Sequence, residues 1–215
     1  MRRVNERFLW NTTRSSANLD LEDRWYLDAF TDGNGIELDG REFTYGRAVD
    51  AGPPLKMGTW KDERIIETRP PLRLSLYRKR TGAPLDFTFT GENVPVVTSR
   101  VAEILAAVAN ADIQRIPVYV EGQKESYEII NVVSCIPCVD RDHCDADWWT
   151  ETDDRPEKIG RAKLMAKLAI DPTKTRGANL LRPKEWDLAI VASEPIKKAL
   201  EKAKVSGIRF TKVTL

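Results

Sequence analysis

Apolar and polar positions alternate along two short stretches in the first half of the chain, residues 72–77 and 85–90. Alternation with a period of two residues is typical of a strand with one buried face. Residues 81–84, Thr-Gly-Ala-Pro, lie between the two stretches and favour a turn, so the pattern predicts a β-hairpin with a loop longer than two residues. Further upstream, residues 42–45 predict one more short strand among glycine-rich turns.

The pattern becomes more regular from residue 94. Residues 94–97 predict a strand that begins near Pro95 or lies at a sheet edge, because proline cannot donate a hydrogen bond. Ser99 is a candidate N-cap for a helix over residues 100–109. The apolar face of that helix is formed by Val101, Ile104, Leu105 and Val108. Strands are then predicted over 113–120 and 127–133, the second β-branched enough for a sheet interior.

The C-terminal part repeats this order of elements. Residues 189–193 predict a strand, a helix begins at Glu194 with Pro195 in its first turn, and Gly207 closes the helix before a strand over 208–213. The helix buries the stripe Ile196, Ala199, Leu200 and Ala203. The order strand, serine, helix, strand therefore occurs twice. Residues 139–157 have a loop-like pattern, and 163–171 fit a helix or a strand.

These elements predict an α+β fold with a mixed, largely antiparallel sheet and a few packing helices. The 215 residues are enough for one domain with a sizeable core, and 41% hydrophobic with 31% charged residues is ordinary for a globular protein. We therefore predict a single domain over 1–215. In it, residues 1–93 form a variable N-terminal portion and residues 94–215 form the body.

The net charge of +1 is unevenly distributed. Residues 139–157 contain eight acidic against two basic residues, and residues 158–215 contain fourteen basic against five acidic residues. Such asymmetry is compatible with a charged recognition surface, although most charge runs are solvated surface.

Apolar runs and cysteines in the sequence indicate where in the cell the protein is located. Its apolar runs are far shorter than the roughly 20 residues needed to cross a bilayer. The basic start is followed only by Phe8-Leu9-Trp10, too short for a secretory signal. Three cysteines do not suggest a disulfide framework. We expect a cytoplasmic protein without a membrane partner.

A series of short motifs carries a resemblance to a known family. The motifs occupy residues 94–101, 115–118, 127–133, 168–171, 180–182, 191–194, 199–200 and 206–210. Their order and spacing over residues 86–213 resemble the immunity proteins encoded beside bacterial polymorphic toxins, a family long described as a domain of unknown function. Leu181-Arg182 stands where that family usually has Phe-Arg.

The resemblance implies a small α+β protein that binds one cognate toxin and inhibits it stoichiometrically. It implies no enzyme activity, no catalytic residues and no cofactor. It supplies no defined set of toxin contacts, so these have to be predicted from the residues themselves.

Seven acidic residues surround Trp148-Trp149: Asp140, Asp142, Asp145, Asp147, Glu151, Asp153 and Asp154. An aromatic side chain offers a large contact area at an interface, and the acids around it would attract a basic partner. Alternatively, one tryptophan packs on the body and the rest of the segment is solvated. We predict Trp148, Trp149, Asp145, Asp147 and Asp153 as partner contacts.

The rival hypothesis is a zinc protein or enzyme built on Cys135, Cys138, His143 and Cys144. Thiolate and imidazole ligands are the right kind for zinc. The spacing is unfavourable, because adjacent His143 and Cys144 do not easily point at one ion, and Cys135 is equally explained as the buried end of a strand. We therefore predict no metal.

Other chemistry has weaker support. His143 is the only histidine, and it lies in an acidic loop that is a poor place to hold a catalytic base. Four lysines on the C-terminal helix, Lys197, Lys198, Lys202 and Lys204, would suit nucleic acid, but they lie opposite an apolar stripe, as on any amphipathic helix. We expect neither nucleic acid nor a small-molecule substrate as partner.

Overall fold

A computed structural model describes residues 23–29, 74–76, 84–89, 94–120 and 123–214. The strand predicted at residues 42–45 lies outside this part. The strands are β1 (Arg24–Ala29), β2 (Leu74–Leu76), β3 (Phe87–Phe89), β4 (Pro95–Thr98), β5 (Ile113–Val120), β6 (Tyr127–Val132), β7 (Cys135–Ile136), β8 (Asp145–Trp148), β9 (Ala162–Lys167), β10 (Leu180–Pro183), β11 (Ile190–Ser193) and β12 (Ile208–Lys212). The helices are α1 (Ser99–Ala109) and α2 (Glu194–Lys202), with single 3₁₀ turns at Asn110–Asp112, Pro156–Lys158 and Pro172–Thr175.

The first sheet has the strand order β12-β1-β11-β10-β7. Its pairs are antiparallel except β10 with β7. Leu27 in β1 lies opposite Ile190 on one side and Phe210 on the other. A strand from early in the chain therefore occupies the space between two strands from its last third. The predicted boundary between an N-terminal portion and a body stays a prediction.

The second sheet has the order β2-β5-β6-β4-β3, with β2 parallel to β5 and the other pairs antiparallel. Strands β2 and β3 form where alternation predicts strands, but the predicted hairpin between them is wrong, because they lie at opposite edges of the sheet. Alternation reports that a segment has one buried face and does not report which strand it pairs with. The interior position predicted for β6 is confirmed, since all its residues are buried.

Both helices pack into one core cluster between the sheets. It includes Leu105 and Ala102 of α1, Ile196 and Leu200 of α2, and Leu27 of β1. Helix α1 begins one residue earlier than predicted, so Ser99 is its first residue and Thr98 the N-cap, without a side-chain capping bond. Helix α2 ends at Lys202 and is followed by Lys204 in the left-handed conformation, so the predicted closure of the helix by Gly207 is wrong; Gly207 has its own positive φ in the turn before β12. The α+β fold with mixed, largely antiparallel sheets is confirmed.

The two sheets contain the same arrangement of a strand, a helix and a parallel strand. In the second sheet β4 and β5 flank the antiparallel strand β6, and α1 connects them. In the first sheet β11 and β12 flank the antiparallel strand β1, and α2 connects them. The repeat of element order seen in the sequence is therefore a repeat of topology, with the middle strand supplied from different parts of the chain.

A second core cluster, with Leu181, Val191 and Ile170 among its buried members, covers the first sheet on another side. Strands β8 and β9 form a separate antiparallel hairpin over this cluster, and Met165 and Trp148 pack against it. Residues 139–157 were predicted as a loop, and this prediction is wrong at residues 145–148, which form strand β8. The segment was missed because its strand alternates aspartates with Ala146 and Trp148 and contains no β-branched residue.

A partly buried group of ion pairs joins strands β5 and β6 of the second sheet to helix α1. The Arg115 guanidinium donates to both carboxylate oxygens of Glu128 at 2.8 Å, and to Glu103 at 2.7 Å. Hydrogen bonding to Arg115 is the main reason that the pKa of Glu128 lies below its ordinary value of 4.5, although burial opposes it. The ionised carboxylate therefore stabilises the folded state above the ordinary pKa, and this contribution is lost as the pH falls through the lowered one.

We expect Glu128→Gln to lower the free energy of unfolding at pH 7 by about 2–3 kcal/mol, because it leaves a charged partner of Arg115 partly unpaired. The deficit should shrink as the pH falls from the ordinary pKa of Glu128 through the lowered one, where the wild type also loses its ion pair. Urea denaturation at several pH values measures it, with the exposed Glu103→Gln as the control expected to lose less. A deficit that stays constant with pH would contradict this account.

Candidate functional site

The β8–β9 hairpin carries the residues predicted as partner contacts, and it presents them in three different environments. Asp145 and Asp147 are exposed, whereas the intervening Ala146 faces Met165 on the inner side. Leu164 lies directly opposite Asp147 and is 63% exposed. We call Asp145, Asp147 and Leu164 the outer face of the hairpin. Neither aspartate forms an ion pair within the described part of the chain.

Trp148 and Trp149 are both half-buried and both covered by cations. Trp148 packs against the second core cluster, with the Arg141 guanidinium carbon 4.1 Å from its ring centroid. Trp149 has Lys158 Nζ at 4.9 Å and Lys163 Nζ at 5.2 Å from its ring centroid. The linear sequence suggested that acids surround the tryptophans, but in the fold both rings also contact basic side chains.

Asp153 is used within the hairpin. One carboxylate oxygen lies 2.7 Å from Lys163 Nζ, and the other accepts from the backbone N–H and the hydroxyl of Thr150. These bonds, the one from Lys163 first, hold the pKa of Asp153 at about 2. Its carboxylate therefore orders the turn after β8, which leaves it less available to a partner than Asp145 and Asp147.

Beside Trp149 the hairpin borders an open groove of about 340 Å³. The groove was not predicted, because Trp186 and its neighbours come from the loop after β10. Its lining is Trp149, Lys158, Arg161, Ala162, Lys163, Glu185, Trp186, Asp187 and Leu188. We call this the hairpin groove. A sequence signal existed, since basic residues begin directly after the acidic segment and a hairpin would bring the two together.

The cysteine cluster does not gather around a common point. Cys138 is fully buried in the second core cluster, and Cys144 packs against that cluster. Burial, assisted by Glu185 and Cys135, raises the pKa of Cys138 to about 12, so its thiolate is strongly disfavoured at neutral pH. His143 is exposed, with Nδ1 2.8 Å from Asp140 Oδ2. Within the described ranges, no three histidine, cysteine or acidic side chains are grouped as metal ligands.

Two lysines of α2 have acidic or aromatic neighbours. Lys197 lies 3.0 Å from Glu201 and 4.4 Å from the ring centroid of Trp25, and Lys198 lies 3.6 Å from Glu194. Half of the four lysines considered for nucleic acid are therefore matched by glutamates. No helix among the described residues is long and apolar enough to cross a membrane.

Comparison with known families decides the assignment. The model of an immunity protein family, Imm11, matches residues 19–214 of the chain. The chain belongs to this immunity protein family. The match extends the resemblance found over residues 86–213 to the segment that contains β1. No curated protein matches the chain.

Family membership implies an immunity function with a toxin as the partner, and it indicates a role other than catalysis. The hairpin combines two exposed aspartates that form no ion pair with a described residue, an exposed leucine and half-buried tryptophans beside a groove.

Proposed function

We propose that the protein neutralises one cognate toxin by binding it stoichiometrically, and that the β8–β9 hairpin forms the contact surface. Family membership is the observation that supports the immunity role. The hairpin is supported as the contact because its outer face combines two aspartates without ion pairs in the described chain with the 63% exposed Leu164. Exposed acids steer a basic partner, and an apolar side chain at the centre supplies desolvated contact area.

The five predicted contacts have different parts in this proposal. Asp145 and Asp147 meet the toxin directly on the outer face, and Trp149 meets it at the hairpin groove. Trp148 and Asp153 support the hairpin, since Trp148 packs against the core and Asp153 holds Lys163 and Thr150. Removing Trp148 would therefore confuse loss of binding with loss of structure, whereas the outer face is open to substitution.

The first experiment is a rescue. The toxin-like product of the neighbouring gene is expressed alone and together with this protein, and the purified pair is titrated by calorimetry. We expect growth to be restored and a one-to-one complex to form. Failure to restore growth, together with no complex between the purified proteins, would overturn the proposed function for that pair.

With the complex in hand, we expect Asp147→Lys to weaken toxin binding by at least about tenfold, because it replaces attraction by repulsion at the edge of the interface. The matched control is Glu125→Lys, which reverses an exposed charge in the turn before β6 on the other sheet. Calorimetry measures both affinities and thermal melting checks folding. Equal affinities for the two variants would remove the outer face from the interface.

A further inference from the structure

The hairpin groove has an uneven balance of charge. Arg161 forms an ion pair with Asp187, and Lys163 forms one with Asp153. Glu185 Oε2 accepts a hydrogen bond of 3.3 Å from the backbone N–H of Cys138. Lys158 has no ion pair with any described residue. The lining therefore carries three cations against two carboxylates, and Lys158 is the cation among them that has no ion pair with a described residue.

The position of Lys158 is well defined. It ends the 3₁₀ turn Pro156–Lys158, and its backbone N–H and C=O bond to Arg155 and Arg161. Its ammonium group lies 4.9 Å from the Trp149 ring centroid, and Trp186 lines the same groove. An aromatic ring beneath a lysine restricts the motion of the long side chain and holds its charge at the groove.

We propose that the hairpin groove receives a carboxylate side chain of the toxin, with Lys158 as its counterion and the rings of Trp149 and Trp186 as apolar walls. The inference rests on the proposed function and adds the chemistry of one contact. A carboxylate fits because it is a compact single charge and can accept hydrogen bonds from the ammonium group. The volume of about 340 Å³ is at the small end of binding pockets, which suits an inserted side chain.

A nucleic-acid phosphate backbone fits the groove less well. A polyanion would meet Glu185 and Asp187 in the groove and Asp145 and Asp147 on the neighbouring outer face. The single surplus positive charge of the lining can offset one carboxylate but not a row of phosphates, whereas nucleic-acid sites neutralise several phosphates with several cations. A protein partner with a basic surface and one protruding acidic residue matches both the outer face and the groove.

The test uses the full chain and the cognate toxin. Lys158→Met keeps the apolar stem over Trp149 and removes the charge, so we expect toxin affinity to fall about tenfold while folding is unchanged. Lys158→Glu should reduce it further. The matched control is Lys202→Met, an exposed lysine of α2 on the other side of the first sheet. A series of toxin variants with single Asp→Lys and Glu→Lys changes then searches for the partner of Lys158.

One of these toxin variants should restore binding to Lys158→Glu while weakening binding to the wild type, which would identify the inserted carboxylate. Wild-type complex formation with equal affinities for Lys158→Met and Lys202→Met would overturn the groove contact and leave the immunity function standing. Weakening by Lys158→Glu that no acidic-residue variant of the toxin reverses would also overturn it. So would binding of a short oligonucleotide that depends on Lys158. Absence of any complex with the wild-type protein would count against the proposed function instead. Failure of the proposed function and failure of the groove contact are therefore distinguishable.

Discussion

Replacing Gly207 with alanine is expected to lower the free energy of unfolding by about 2–5 kcal/mol, the sum of a left-handed backbone cost and an overpacking cost. Gly207 has φ +83°, where a side chain is strained. A Cβ built there would lie 2.1 Å from the carbonyl oxygen of Phe87. That oxygen cannot move away easily, because Phe87 is 1% exposed and its N–H donates to Ser206 at 3.1 Å.

Gly160→Ala is the matched control for this prediction. Gly160 has nearly the same backbone conformation, φ +85°, but its added Cβ would meet only Arg141 Nη2 at 3.7 Å, an ordinary contact. We expect that variant to lose about 1–2 kcal/mol, the backbone cost alone. Chemical denaturation of both variants measures the difference. Equal losses would show that the turn before β12 shifts away from β3 without cost, contrary to the close approach described.

Asp112→Ala is expected to lower the free energy of unfolding by about 3 kcal/mol or more, because it leaves one buried and two half-buried donors without their acceptor. Asp112 is 3% exposed. Its carboxylate accepts from the backbone N–H of Asn179 at 2.8 Å and of Leu180 at 3.4 Å, and from the Ser134 hydroxyl at 2.8 Å. It thereby joins the corner between α1 and β5, in the second sheet, to the start of β10 in the first.

Two further variants make this prediction specific. Asp112→Asn keeps one carbonyl oxygen as an acceptor, so we expect a smaller loss than for alanine. Asp171→Ala removes an aspartate that accepts from Thr173 at the start of an exposed 3₁₀ turn, and we expect it to lose only about 1 kcal/mol. Denaturation by urea ranks the three variants. A loss at Asp112 no greater than at Asp171 would show that the buried donors find water or other acceptors.

The hydrophobic pattern predicted seven of the twelve described strands and helix α1 within two residues, and it predicted the start of α2 but not its end at Lys202. Strand β5 and the start of α2 fall at the predicted residues, because each has its period and its boundary signals in the local sequence. Pairing could not be predicted in the same way. The partner of β2 is β5, about forty residues along the chain, and nothing within residues 72–77 specifies it. Gly207 was assigned to the end of α2 because its contact with Phe87 is not visible in the sequence.

At the candidate site, the partners of the charged residues could likewise not be predicted from the sequence. The sequence gives an acidic run followed by a basic run, and each run by itself suggests a charged surface. In the fold, the change from one run to the other falls within the β8–β9 hairpin, so Lys163 pairs with Asp153 and Lys158 lies over Trp149. Part of the apparent polarity is therefore neutralised locally. The charges that form no ion pair with a described residue, such as Asp145 and Asp147, can be identified only from the fold.

Strand β1 has a consequence for the order in which the molecule assembles. The middle strand of the second sheet, β6, follows β5 after a short turn, so that half can form from neighbouring segments. The first sheet needs Leu27 to reach Ile190 and Phe210, which lie far along the chain. Contacts between such distant segments form late, because a long loop must close before any pairing is gained. We therefore expect the sheet that supports the β8–β9 hairpin to be completed only after β12 has joined it, so that the proposed contact surface matures last.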